Sequence, residues 1–372
     1  MDEKRNAILT AGIIFAIILV FTVADLFNSD RVFSETENRI LAARPQISWD
    51  ALFEGDFTTE YENYVTDQFV SRDNWISIKT HSDIALQKKE INGVYLGSDG
   101  YLIEQHDPAD FTEELEAEKI ASLKELVDRW DAKVMLVPTA DNILTDKLPA
   151  YAVYYDQLAF LEQVKNEIGE EHFIDVSSIL KEHAGEEIYY RTDHHWTSLG
   201  AYYGFMAWAD SVKRFPYPYS VTNMQVESNN FQGTLHSKIN IETAKDSIKY
   251  FPETELRPIQ VCYDYRTTTD TLYEERYLET KNQYGYFLDD NHGFVEIDTE
   301  YKNGRTLYII KDSYANSMIP LLTTHYEKIY VMDLRYFNGK LFDFMELCEP
   351  EEGMDVLVLY NCVHFLEDFK YY

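Results

Sequence analysis

The stretch TLYIIKDSYANS, residues 306–317, joins an apolar run, a polar turn and the start of a helical pattern. Residues 307–310 predict a buried strand, and Asp312 and Ser313 follow where that strand ends. Free backbone N–H groups and the helix dipole at such a turn can stabilise an oxyanion, which makes Ser313 a candidate nucleophile. The alternative is that Ser313 only caps the following helix.

Strand and helix patterns alternate on both sides of this stretch. Apolar runs at residues 132–139 and 355–363 predict further strands, and residues 113–130 have the periodicity of a helix. The alternation predicts a layered α/β domain with a parallel sheet. Residues from about 215 to 303 interrupt it with several prolines and short alternating stretches, which predicts a β-rich insertion.

The N-terminal residues 1–27 predict a helix that crosses a membrane. Lys4 and Arg5 precede an uncharged apolar run over residues 7–24, close to the roughly 20 residues that a bilayer core requires. We expect an uncleaved single-pass anchor in the cell membrane, with the remaining chain extracytoplasmic. A cleaved signal peptide is the alternative. Residues 28–95 then predict a linker and helical lead-in, and residues 96–372 the α/β domain, with a hairpin at 94–104.

Composition excludes some classes of partner. The 65 Asp and Glu residues against 33 Lys and Arg give a formal net charge of -32, which repels nucleic acid. The 29 Tyr and 21 Phe residues suit stacking on sugar rings, although tyrosines also fill half-exposed positions without a ligand. Cys262, Cys348 and Cys362 lack the spacing of a zinc ribbon or a disulfide scaffold. We expect no nucleic-acid partner and no cofactor.

The stretch RTDHHWTSLG, residues 191–200, supplies what a serine nucleophile needs. Asp193 and His195 are two positions apart, so in an extended segment they point to one side and the carboxylate can orient the imidazole. We therefore expect Ser313, His195 and Asp193 to form a catalytic triad. A metal site at residues 193–195 is disfavoured, because adjacent histidines point apart and no ligand cluster stands elsewhere in the sequence.

Several further residues are candidates for the oxyanion hole or for substrate contacts. The backbone N–H of Ser313 is the first candidate donor. Trp196 could stack on a sugar, although a tryptophan at a helix start more often packs in the core. The remaining candidates from flanking loops are Asn291, Asn142, Gly233, His194 and Tyr314.

Nine segments, in order, carry a family resemblance: SETENRILAARP (34–45), DQFVSRDNW (67–75), YLGSDGYLI (95–103), VPTADNIL (137–144), YYRTDHHWTSLGAYYGF (189–205), FQGTLHSKIN (231–240), YGYFLDDNHG (284–293), LYIIKDSYANSMIPLL (307–322) and YVMDLRYF (330–337). The chain resembles the DHHW protein family, which is similar to the SGNH-hydrolase-like domain of alginate O-acetyltransferases. The resemblance implies an SGNH-like (flavodoxin-like) three-layer sandwich in which Asp193 and His195 join Ser313. Their order is permuted relative to the hydrolases of that fold, whose GDS serine comes first, and Lys311 stands where that motif has Gly.

The expected activity is that of a membrane-anchored extracytoplasmic O-acyltransferase, which transfers an acyl group, expected to be acetyl, to a cell-surface or secreted polysaccharide through an acyl-enzyme. The resemblance further suggests a polytopic membrane O-acyltransferase as the acyl donor. A carbohydrate esterase, with water as the acceptor, is one alternative. A non-catalytic polysaccharide-binding or assembly protein is another.

Overall fold

A computed structural model describes residues 2–34, 39–214, 217–347 and 354–370 of the chain. Cys348, residues 35–38 of the first resembling segment and residues 215–216 at the start of the predicted insertion lie outside the described residues. Cys262 and Cys362 are free. The chain divides into two compact units, one of residues 1–88 with 239–241 and one of residues 89–238 with 242–372.

The first unit is mainly helical. Its elements are α1 (Asp2–Leu26), β1 (Phe33–Ser34), β2 (Arg39–Ile40), α2 (Trp49–Glu54), α3 (Asp56–Gln68) and α4 (Arg72–Ala85). The predicted N-terminal apolar helix is confirmed, and among the described residues it is the one helix long and apolar enough to cross a membrane, over Lys4–Asp25. A signal sequence would meet the same criterion.

The second unit contains the remaining elements. The predicted hairpin at residues 94–104 is confirmed, because β4 and β5 pair antiparallel. The strands of this unit are β3 (Glu90–Ile91), β4 (Val94–Leu96), β5 (Leu102–Glu104), β6 (Lys133–Val137), β7 (Gln225–Phe231), β8 (Asp246–Tyr250), β9 (Ile259–Tyr263), β10 (Thr267–Thr269), β11 (Phe294–Thr299), β12 (Thr306–Lys311), β13 (Lys328–Asp333) and β14 (Met354–Asn361). The helices are α5 (Glu113–Trp130), α6 (Ala140–Ile143), α7 (Gln157–Ile168), α8 (Ser177–Glu182), α9 (Ser198–Ser211), α10 (Thr234–Ile239), α11 (Ile319–Leu322), α12 (Leu341–Leu347) and α13 (Cys362–Asp368).

A seven-stranded sheet forms the centre of this unit, in the order β10-β9-β11-β13-β12-β14-β6. All six residues of β12 are buried. Leu307 and Ile309 belong to one hydrophobic core, whereas Tyr308 and Ile310 belong to another, because successive side chains of a strand point to opposite faces. Helix α9 packs in the first core, and α5 and α7 in the second. The expected three-layer α/β arrangement is therefore present.

The predicted β-rich insertion is not separate from the predicted parallel sheet. The strands β13, β12, β14 and β6 are parallel, as expected. However, β9, β10 and β11 from the insertion extend the same sheet in antiparallel pairing. The sheet is mixed because β11 pairs antiparallel with both β13 and β9. The β9–β10 pair is antiparallel because a short turn joins these strands, and a parallel pair would need a long crossover connection.

The four parallel strands end at one edge of the sheet. Their last residues are Val137, Lys311, Asp333 and Asn361. The crevice outside the carboxyl ends of parallel strands is where open α/β sheets bind ligands. Ser313 lies two residues beyond β12, at this edge.

Candidate active site

Ser313 begins a short 3-10 turn, Ser313–Ser317, directly after β12. The residue that caps this turn is Asp312, whose carboxylate accepts a hydrogen bond of 3.0 Å from the backbone N–H of Tyr314. The hydroxyl of Ser313 is instead 2.8 Å from Nε2 of His195. The alternative in which Ser313 serves as the cap is therefore wrong, and its hydroxyl is available to the histidine.

His195 lies between Ser313 and Asp193. Its Nδ1 is 2.5 Å from Oδ1 of Asp193, and its backbone N–H donates to the same oxygen at 3.0 Å. The other oxygen, Oδ2, accepts from the backbone N–H of Thr234 at 2.8 Å and from its hydroxyl at 3.2 Å. Burial alone would raise the pKa of Asp193, but the nearby imidazoles and these hydrogen bonds lower it well below its usual range. An ionised Asp193 keeps the proton of His195 on Nδ1 and leaves Nε2 to accept the serine proton.

Tyr284 fixes the plane of the histidine and the backbone of the serine. Its ring stacks on His195 with centroids 3.8 Å apart and an interplanar angle of 11°. Its hydroxyl donates to the carbonyl oxygen of Ser313 at 3.0 Å. Tyr284 lies in the resembling segment YGYFLDDNHG but was not among the predicted site residues.

Lys311, which replaces the glycine of a GDS motif, is completely buried beneath the serine turn. Its ammonium group donates to the side-chain oxygens of Asn316 at 2.9 Å, and of Asn291 and Asp333 at 3.3 Å. Arg335 also binds Asp333, with Nε 2.9 Å and Nη2 2.7 Å from the two carboxylate oxygens. Where a glycine would leave space, this chain has a charged network that connects the ends of β12 and β13.

Residues 125–332, which include the DHHW stretch and Ser313, match the family model of the DHHW protein. The chain belongs to the DHHW protein family. No curated protein sequence matches it. The match ends before β14 and α13.

Solved structures are similar to this chain in fold. A DHHW family protein from Eubacterium siraeum is 25% identical, with a TM-score of 0.62 over 74% of this chain and 93% of that one. Bacillus cereus PatB1, solved with a sulfonyl adduct, is 20% identical, with a TM-score of 0.59 over 75% of this chain and 100% of PatB1. The O-acetyltransferase domain of Pseudomonas putida AlgJ is 14% identical, with a TM-score of 0.47 over 75% and 94% of the two chains. The expected SGNH-like α/β fold class is confirmed.

Two of the predicted oxyanion candidates have other partners. The side-chain amide of Asn142 donates to Asp141 and to the carbonyl oxygen of Tyr155, both at 3.0 Å. Gly233 donates its N–H to the hydroxyl of Thr192 at 3.2 Å. A Cβ at Gly233 would lie 2.1 Å from Oδ2 of Asp193, so this position must be glycine for the loop to approach the carboxylate. Neither residue is a free donor for an oxyanion.

Asn291 lies at the edge of the lysine network. Its amide donates to Asp290 at 3.0 Å, and its oxygen accepts from Lys311. It also lines an open groove of about 650 Å³ at the ends of β11 and β13. The structure therefore does not bring the amide of Asn291 into hydrogen bonding with Ser313.

Trp196 and Tyr314 connect the two motifs and are both fully buried. The indole N–H of Trp196 donates to the carbonyl oxygen of Tyr314 at 2.8 Å, and the hydroxyl of Tyr314 donates to the carbonyl oxygen of His194. Neither ring has a surface on which a sugar could stack, because the core surrounds both. Their place in the site is to hold the DHHW stretch against the serine turn.

His194 is the remaining candidate, and it is partly exposed. Its ring lies next to that of His195, with centroids 3.9 Å apart. Ligand atoms of Asp193, His194 and His195 lie within 4.8 Å of one another, which would also suit a metal ion. However, Nδ1 of His195 and Oδ1 of Asp193 are hydrogen-bonded to each other, which occupies two of these ligand atoms. The arrangement therefore favours proton transfer.

Proposed function

We propose that this DHHW family protein is a membrane-associated O-acyltransferase that transfers an acetyl group to a cell-surface or secreted polysaccharide through Ser313. The observation that carries this proposal is the position of His195, hydrogen-bonded to Asp193 at 2.5 Å and to Ser313 at 2.8 Å. Nucleophile, base and orienting acid are the three parts that acyl transfer through serine requires.

In the first half-reaction, Nε2 of His195 removes the proton of Ser313 as its Oγ attacks the carbonyl carbon of the acyl donor. The bond from Oγ to carbon forms, and the carbonyl oxygen becomes an oxyanion. Among the described residues, the backbone N–H of Ser313 has no protein acceptor, so it can donate to this oxygen. The bond to the leaving group then breaks, and the leaving group takes the proton from His195.

In the second half-reaction, the same imidazole removes the proton of a sugar hydroxyl as its oxygen attacks the acetyl carbon. The ester to Ser313 breaks and its Oγ recovers the proton from His195. A water molecule in place of the sugar would give hydrolysis, which is the esterase alternative. The resemblance of the motifs to alginate O-acetyltransferases favours transfer.

The open groove at the ends of β11 and β13 supports a polymeric substrate. Tyr265 and Tyr336 line this groove and are 64% and 51% exposed. Exposed aromatic rings beside polar groups are the surface on which sugar rings stack. The groove and Ser313 lie at the same edge of the sheet, and Lys311 connects them through Asn291.

The N-terminal helix supports a location at the membrane. We propose that α1 anchors the chain in the cell membrane with the α/β unit outside the cytoplasm, as the basic residues in its first turn predict. We also propose a polytopic membrane O-acyltransferase as the source of the acyl group.

The test is intact-protein mass spectrometry of the full-length chain in detergent after treatment with p-nitrophenyl acetate or phenylmethanesulfonyl fluoride. We expect one acetyl or one sulfonyl adduct, because an activated serine hydroxyl attacks both reagents. Ser313→Ala and His195→Ala should abolish both adducts. Ser177→Ala is the matched control, since the hydroxyl of Ser177 is hydrogen-bonded to Asp175 at 2.6 Å but has no histidine beside it.

An adduct that persists in Ser313→Ala would disprove the proposed nucleophile. No adduct on the wild-type chain with either reagent would favour the non-catalytic binding protein. If the acetyl group on Ser313 is transferred only to water when sugar acceptors are present, the result would favour the esterase.

A further inference from the structure

A polar cavity of about 130 Å³ lies beside the proposed triad. His194 and His364 both line it, with ring centroids 5.6 Å apart. His194 is in contact with His195, as described above, and His364 comes from α13, outside the residues that match the family model. The cavity is distinct from the open groove at the ends of β11 and β13.

The hydrogen bonds of His194 fix its tautomer. Its Nδ1 is 2.8 Å from the hydroxyl oxygen of Thr234, and that hydroxyl donates its only hydrogen to Asp193. Nδ1 of His194 therefore carries the proton and donates to Thr234, which leaves Nε2 as an acceptor. Burial lowers the pKa of His194 to about 3, so the ring stays neutral at physiological pH.

His364 has the opposite character. Its Nδ1 donates to Oδ2 of Asp312 at 2.9 Å, and Asp312 is the residue before Ser313. Burial alone would lower the pKa of His364, but this hydrogen bond outweighs burial and raises it. The carboxylate of Asp312 favours the protonated ring, in which Nε2 is a donor.

The Nε2 atoms of His194 and His364 are the ring nitrogens that can bind a ligand. Within the described ranges, Nε2 of neither His194 nor His364 has a hydrogen-bond partner, and both side chains keep some exposure, 17% and 23%. The cavity thus has one acceptor and one donor, on rings whose centroids are 5.6 Å apart. This pair matches two neighbouring hydroxyl groups, each of which can donate or accept.

The charges around the cavity select the class of ligand. Glu104, Asp110 and Glu367 line it together with His106, whose pKa is raised, despite burial, to about 10 by its hydrogen bond to Asp141. The carboxylates outnumber this cationic ring, which is already paired with Asp141, and so repel phosphates and uronic acids. Among them, Glu367 has a pKa that burial raises. Phe111 supplies an apolar part of the wall. A neutral ligand with several hydroxyls and an apolar ring face fits these walls best.

We propose that this cavity binds the acceptor sugar, as a neutral residue whose neighbouring hydroxyls hydrogen-bond to Nε2 of His194 and Nε2 of His364. The inference rests on the proposed function and adds to it the class of acceptor: an uncharged glycosyl unit, presented beside the imidazole of His195 that would deprotonate it.

The test is the affinity of the full-length chain for three probes by isothermal titration calorimetry: cellopentaose and chitopentaose as neutral oligosaccharides, and a mannuronate pentamer as an anionic one. We expect a neutral probe to bind at least about tenfold more tightly than the anionic one. His364→Asn should weaken neutral binding about tenfold, because Asn keeps the hydrogen bond to Asp312 but lacks the Nε2 edge. His194→Asn should act in the same way through Thr234.

The matched control is His183→Asn, because His183 also has Nδ1 on a carboxylate, that of Glu186 at 2.7 Å, but does not line the cavity. Tighter binding of the anionic probe, no binding of either neutral probe, or equal affinities for His364→Asn and the wild type would each overturn the proposal. Adduct formation at Ser313, measured on the same samples, reports separately on the triad. Loss of the adduct with neutral binding intact would contradict only the proposed catalysis.

Discussion

Replacing Asp193 by Asn is the most informative perturbation of the site. Each oxygen of this carboxylate accepts from a fixed backbone donor, Oδ1 from the N–H of His195 and Oδ2 from the N–H of Thr234. An asparagine must place its NH2 group at one of these two positions. In either orientation an NH2 group faces a backbone N–H at about 3 Å, and one buried donor loses its acceptor.

The expected magnitudes follow from these contacts. The unsatisfied donor should lower the free energy of unfolding by about 1–3 kcal/mol. With NH2 at the Oδ1 position, His195 must carry its proton on Nε2 and cannot accept one from Ser313. In serine-protease triads, the wrong tautomer reduces the rate about 10⁴-fold, which corresponds to about 5.5 kcal/mol of barrier. We expect a loss of this order in the rate of acylation by p-nitrophenyl acetate.

The assay is the p-nitrophenolate burst with wild-type and variant chains, together with urea denaturation of both. Asp175→Asn is the control, because Asp175 accepts from the backbone N–H of Ser177 and Ser178 but does not contact a histidine. An Asp193→Asn burst within tenfold of the wild-type rate, in a folded chain, would refute the role given to this carboxylate.

Three other predictions concern residues that support the site. Gly233→Ala should reduce acylation at least 100-fold because its Cβ would displace Asp193, whereas Gly185→Ala, with nothing within 4 Å, should retain it; burst kinetics compare the two. Lys311→Met should lower the free energy of unfolding in urea by about 1–3 kcal/mol, since the buried side-chain oxygen of Asn316 loses its donor while Asp333 keeps Arg335. The hydrogen bond that His106 donates to Asp141 outweighs burial and raises the pKa of His106 to about 10, so His106 contributes stability that is complete below about pH 6.5 and is lost as pH rises through 10. His106→Gln should flatten that decline, and a decline of unchanged slope would contradict this assignment.

Much of the fold was predictable because the hydrophobic pattern of each segment matches the burial of its side chains in the structure. The apolar run before Asp312 is a strand buried on both faces, and the alternation around it gives the layers. The mixed character of the sheet was not predictable, because the short strands of residues 215–303 have the same pattern whether they pair with one another or with β13. Pairing partners that are distant in sequence are chosen by the packing of the whole unit.

The site shows the same division. Asp193 and His195 are neighbours in sequence, so their spacing alone indicates that one orients the other, and a serine after a strand indicates where the nucleophile lies. Trp196 was a candidate for stacking, but the packing against Gly204, where a Cβ would lie 2.7 Å from the indole, makes it a core residue. Tyr284 gave no signal of its own in the sequence.

The sequence by itself determined the α/β class, the apolar N-terminal helix, the family and the three residues that we propose as the triad. Each of these depends on local periodicity or on short motifs, each of which lies within one stretch of sequence. Only the tertiary structure decided that Asp312 rather than Ser313 caps the turn, that Lys311 is buried, and that His364 shares a cavity with His194. Those facts depend on which segments, distant in sequence, come into contact in the folded chain. Contacts of that kind determine the hydrogen-bond partners of each residue, and the spacing of residues along the sequence does not reveal them.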